Sequence, residues 1–137
     1  NQLLVTAGAH LARLVTGTDR WERFVWTITR QSQLDAHPAR HHALPWPGAD
    51  EADAASLAAL AFLRTERQTF IPLASAGQAI FTIHVELRPL AQALAEGVSA
   101  RALHDAIASM SDAVLAYRNL TSARERLLVW LASRMAP

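Results

Sequence analysis

Three groups of side chains in this sequence could do chemistry. The first is the run His37-Pro38-Ala39-Arg40-His41-His42, with Asp35 just ahead of it. Imidazole binds transition metals and haem iron well, so the run could hold either. His37 and His41 would share a face only in a continuous helix, and Pro38 works against one, which favours a solvated polar loop. The second is His84, set between Thr82 and Glu86 on the mixed face of a strand-like run. It either faces solvent, the common arrangement for a half-exposed antiparallel sheet, or lines a ligand cavity. The third is Arg64-Thr65-Glu66-Arg67-Gln68, charge concentrated where strands rarely carry it. Alternation sets Arg64, Glu66 and Gln68 on one face and Arg67 on the other, and Arg67 is expected to face away from His84 as well. Arginine suits a ligand carboxylate because its planar fork donates two parallel hydrogen bonds; the same string would serve equally as a surface ion-pair network. No G-x-S-x-G elbow and no glycine-rich phosphate loop is present.

The elements that must position these residues follow from periodicity. Leu4, Ala7, Leu11, Leu14 and Val15 recur at helical spacing ahead of Gly17. Opening directly into this pattern, the chain reads as the later part of a longer domain. Arg23 to Arg30 is rich in aromatic and β-branched residues and predicts a strand. Asp35 to Pro47, with three prolines, reads as a loop. Acids over Asp50 to Asp53 precede a short alanine-rich helix. Phe62 to Leu73 and Ala79 to Arg88 alternate as strands, and the short turn Ala74 to Gln78 makes them an antiparallel hairpin, with Pro72 at a strand end. Everything after Pro89 reads helical: Leu90 to Glu96 ending at Gly97, then a helix capped by Ser99 with Leu103, Ala106, Ile107 and Met110 as its stripe. The last helix follows Ser122 and Glu125, an S-x-x-E capping-box pattern. The class is therefore α+β, an antiparallel sheet covered by helices.

Composition bounds the function classes. The chain has 137 residues, enough for one domain. Its 28 alanines bury little area, so the 19 leucines and a few aromatics must supply a thin core, and an oligomer is compatible with that. Thirteen arginines, no lysine and 12 acids give a net charge of +1, without the basic excess of a nucleic-acid binder. The absence of cysteine removes disulfides, thiolate metal sites and cysteine nucleophiles. The longest mostly apolar stretch, Ala54 to Leu63, is too short for a bilayer span, no signal-peptide pattern opens the chain, and a cytoplasmic location is expected.

The string Leu63-Arg64-Thr65-Glu66-Arg67-Gln68-Thr69, followed by Gly77, Phe81-Thr82-Ile83 and Pro89-Leu90, resembles the L-R-x-E-R-Q-T … G … F-T-I … P-L pattern of the haem-dependent oxidative N-demethylase alpha-subunit-like family. Arg23-Phe24-Val25-Trp26-Thr27-Ile28 is similar to its R-x-N-W-x-I strand, and Leu115-Ala116-Tyr117-Arg118 to its L-A-Y-K segment. The resemblance covers roughly Trp21 to Leu131, and the family domain is longer, so residue 1 would fall near its middle. It implies a single PAS-like haem-binding domain and the oxidative removal of a methyl group from a small alkylamine. O2 would bind at the haem iron, and electrons would come from reductase or ferredoxin-like partners. It also implies a haem between the sheet and its covering helices, with Arg64 or Arg67 near the propionates and His84 or His37 as iron ligand. His84 is the better placed of the two, because a strand fixes a side chain more tightly than a proline-broken loop. The sequence departs from the pattern at Val25, where the family has Asn, at Ile71 and Pro72, where arginines are usual, and at His84-Val85-Glu86, which replaces an Arg-Thr-Tyr-like string. The alternative is a non-enzymatic PAS-like ligand-sensing or assembly domain that has lost haem.

Overall fold

A computed structural model describes residues 17–35, 37, 39, 40, 42 and 44–135. The helix expected over Leu4 to Val15 lies outside them. Among the described residues the order is β1 (Trp21–Thr29), α1 (Ala54–Ala59), β2 (Phe62–Leu73), a 3-10 turn (Ala74–Ala76), β3 (Gln78–Pro89), α2 (Leu90–Ala95), α3 (Ala100–Ala108), α4 (Asp112–Tyr117) and α5 (Arg124–Ala132). The strands form one sheet in the order β1-β2-β3. Trp21 lies against Phe70 and Arg23 against Gln68, so one index falls as the other rises and β1 runs antiparallel to β2. The class is α+β, as the alternation and helical periodicities predict.

The chain forms two compact units. One consists of residues 17–25 and 65–85, the other of 26–64 and 86–135. In the first, β2 and β3 are joined by the 3-10 turn and Gly77, whose φ of +59° is a conformation that glycine adopts without a Cβ penalty. The second holds the apolar core: Ile28, Leu57, Leu90, Ile107, Leu120, Leu127 and Leu131 are fully enclosed, with Trp46 and Trp130 nearly so. Helix α5 packs on α3 and α1, and α1 on α2.

The caps explain where these helices start. Asp53 Oδ1 accepts from the Ser56 amide at 2.7 Å and opens α1. Ser99 does the same for α3 through the Ala102 amide at 3.1 Å. Helix α4, capped by Ser111, is one that periodicity leaves unmarked, because Leu115 is its one buried residue and no stripe forms. The capping box expected at Ser122 and Glu125 is not made. Helix α5 opens at Ala123 without a side-chain cap: a turn already begins at Leu120, whose carbonyl accepts the Ala123 and Arg124 amides at 3.0 and 2.9 Å, so Ser122 lies inside that turn and not at a helix start. Glu125 instead accepts from Arg124.

Candidate functional site

Within the first unit the sheet presents two faces of different chemistry. On one, Trp21 stacks on Phe70 with centroids 5.5 Å apart and planes 10° from parallel, and Phe70 meets Phe81 at 6.5 Å. Beside them runs a polar relay: Arg23 Nε donates to Gln68 Oε1 at 2.6 Å, and Gln68 Nε2 donates to Glu66 Oε2 at 2.9 Å. Gln68 is buried, so both ends of its amide need such partners. The Trp21 indole N–H is also buried and has no hydrogen-bond partner among the described residues.

On the other face, Arg67 Nε donates to Glu22 Oε1 at 2.5 Å, and the Thr69 hydroxyl reaches the same oxygen at 3.4 Å. This face also takes His84. Phe70 and Phe81 share the aromatic face, so counting three residues along each strand brings Arg67 and His84 together on the opposite one. The expectation that the two face apart is corrected: hairpin register decides which positions align, and alternation within one strand does not reveal it. Counting in the same way places the exposed side chains of Phe24 and Ile80 on this face.

Arg67 is more than half exposed; Glu22 holds its Nε, and among the described residues nothing takes Nη1 or Nη2. The outward half of the guanidinium fork suits a carboxylate. An imidazole that can ligate iron, a guanidinium that suits a propionate and two apolar side chains are groups with which a protein can hold a haem, so this face fits the group in chemistry.

The other two expected site residues belong to the second unit. Arg64 is half-buried and donates through Nη1 to the Leu34 carbonyl at 2.8 Å, so it braces the loop after β1. His37 is exposed in that loop; its amide donates to Asp35 Oδ1 at 2.9 Å and its Nδ1 accepts from the Ala39 amide at 3.2 Å. Asp35 also pairs with Arg40 at 3.1 Å, so the stretch is closed by its own polar groups as the loop reading predicts. Pro38 and His41 lie outside the described residues.

Two arginines matter here that their sequence context hides. Arg126 on α5 donates to the carbonyls of Pro47, Gly48, Ala52 and Ser122 at 2.7 to 3.1 Å, fastening the loop before α1. Arg118 donates to the Trp26 carbonyl and lies over the Trp26 ring at 5.5 Å. Next to it Asn119, in the left-handed region at φ 54°, accepts from the Trp46 indole at 2.7 Å. Both arginines bind carbonyls more than 70 positions away, a pairing that no local spacing signals.

Among the described residues no group of three or more His, Cys, Asp or Glu could hold a bare metal ion, and no helix is long and apolar enough to cross a membrane. No curated protein matches the chain. The model of the family described as haem-dependent oxidative N-demethylase, alpha subunit-like, matches residues 6–128. The chain therefore belongs to the haem-dependent oxidative N-demethylase alpha-subunit-like family.

Proposed function

We propose that this chain is a haem-binding component of an oxidative N-demethylase that acts on a small alkylamine with O2. Family membership supports the chemistry, and the shared face of Arg67 and His84 is the observation that carries its placement. In this reading a His84 ring nitrogen is the iron ligand, and the outward nitrogens of Arg67 hold a propionate while Glu22 keeps the guanidinium oriented through Nε. Phe24 and Ile80, exposed on the same face, would supply apolar contact to the bound haem. Haem, when bound, supplies O2 activation, and the protein contributes position and electrostatics. The overall reaction consumes O2, two electrons and two protons and converts an N-methyl group to N–H with release of formaldehyde and water. The electrons require a reductase or ferredoxin-like partner subunit.

Absorption spectroscopy of the chain titrated with haem tests this reading. A Soret band is expected, altered in position by His84→Ala and unaltered by His37→Ala. Arg67→Ala is expected to weaken haem binding without moving the band. No Soret band, or a spectrum indifferent to His84→Ala, overturns the assignment; the first outcome leaves the non-enzymatic ligand-sensing domain as the reading to pursue.

A further inference from the structure

Strand β3 lies at the edge of the sheet, with no strand partner on its outer side among the described residues. Five consecutive residues of it, Ile80, Phe81, Thr82, Ile83 and His84, are all exposed, on both faces of the strand. Ile80, Phe81 and Ile83 expose 47%, 48% and 49% of their surface, although a strand ordinarily buries the apolar residues of at least one face. The stretch also lacks the devices that keep sheet edges from pairing: it carries no lysine, no carboxylate and no proline.

What distinguishes it is self-complementarity about Thr82. If two copies pair antiparallel with a two-fold axis at Thr82, Phe81 of each falls opposite Ile83 of the other. Thr82 then meets Thr82, and Ile80 meets His84. Aromatic against β-branched and threonine against threonine are cross-strand pairs that stabilise antiparallel ladders. Centring on Phe81 instead would set Ile83 against the small Ala79, and centring on Ile83 would set Ile80 against the Glu86 carboxylate; the Thr82 register pairs Phe81 and Ile83 with large apolar partners and keeps Ile80 clear of a carboxylate. We propose that the outer edge of β3 is an isologous surface through which two copies of this chain join their sheets, edge to edge, in that register.

Light scattering coupled to size-exclusion chromatography, over a concentration series, tests the register with a charge exchange on the aromatic face. The wild-type chain is expected to dimerise. Phe81→Glu places a carboxylate against Ile83 of the second copy, and Ile83→Lys places an ammonium against Phe81; each variant is expected to be monomeric. An equimolar mixture of the two is expected to dimerise, because one cross pair becomes Glu against Lys and the other stays Phe against Ile. The double variant F81E/I83K is expected to dimerise too, through two such ion pairs, and more weakly as salt is raised. Circular dichroism of each variant separates loss of pairing from loss of fold. A monomeric wild-type chain, a dimer indifferent to Phe81→Glu, or a folded double variant that stays monomeric overturns the proposal.

Discussion

The two units solve opposite problems with the same alphabet. The unit of residues 26–64 and 86–135 encloses leucine, isoleucine, alanine and tryptophan, and its long polar side chains serve as fasteners, Arg126 and Arg118 binding backbone carbonyls. The unit of residues 17–25 and 65–85 buries Gln68, Thr69 and Phe70 and leaves Phe24, Ile80, Phe81 and Ile83 exposed. Apolar area removed from water is what stabilises a fold, so the first of these carries stability. Exposed apolar residues beside cross-strand charged pairs are what a ligand or partner can use, so in the function proposed above recognition belongs to the second. If this division holds, substitutions in one unit should change melting behaviour and those in the other should change binding.

The largest effect is expected from Leu127→Ala. Leu127 is fully enclosed on α5, and truncation removes its burial and leaves a cavity, a loss of about 2–5 kcal/mol. Denaturant unfolding measures it, and a loss below this range would show that the core around α5 relaxes to fill the space. Arg126→Met comes next. It keeps much of the aliphatic stem but removes the guanidinium donor from the carbonyls of Pro47 and Ala52, and from that of Gly48, which keeps the Glu51 and Ala52 amides, at a cost of about 1.5–3 kcal/mol for hydrogen bonds to a charged group. Arg126→Lys is expected to recover only part of this, because an ammonium on a single nitrogen cannot span carbonyls that the two guanidinium nitrogens share.

In the other unit the same kind of change should barely register in stability. The Arg67–Glu22 pair is exposed, and Glu22→Gln is expected to alter unfolding by about 0–1 kcal/mol. Haem affinity gives the opposite ranking: Glu22→Gln and Arg67→Ala are expected to lower it, whereas Arg126→Met is not. A large stability loss from Glu22→Gln would erase the contrast between the units.

What the sequence discloses follows the range of the interaction. The hairpin is legible because Phe62–Leu73 and Gln78–Pro89 alternate along their own lengths and Gly77 marks the turn. The Asp53 and Ser99 caps are legible because a cap and its amide lie three residues apart. The Ser122 and Glu125 pattern has that spacing too, yet a turn that begins at Leu120 already includes Ser122, so a local motif loses to its neighbour. The site fares worse for a related reason. Arg67 and Glu22 are 45 positions apart, and whether Arg67 shares a face with His84 depends on a register set by the turn. The arginine staples are hidden most deeply, since backbone carbonyls carry no sequence signature.

The smallest and most specific effect concerns the start of α1. Asp53 accepts the Ser56 amide, and this hydrogen bond lowers its carboxyl below the usual range, with the Ser56 hydroxyl adding to the shift. A group whose folded value is depressed stabilises the fold fully above its unfolded value and loses that contribution as pH falls through the folded one. The melting temperature of the wild-type chain should therefore exceed that of Asp53→Ala at neutral pH, and the gap should narrow as acid protonates Asp53. Asp53→Asn keeps a capping oxygen without a titrating proton, so its margin over Asp53→Ala should stay level across the same range. Thermal unfolding of the three proteins from neutral pH into the acid region reads this directly. A gap between wild type and Asp53→Ala that stays constant in acid would mean that the cap acts through its geometry alone and that the carboxylate charge adds nothing to the helix start.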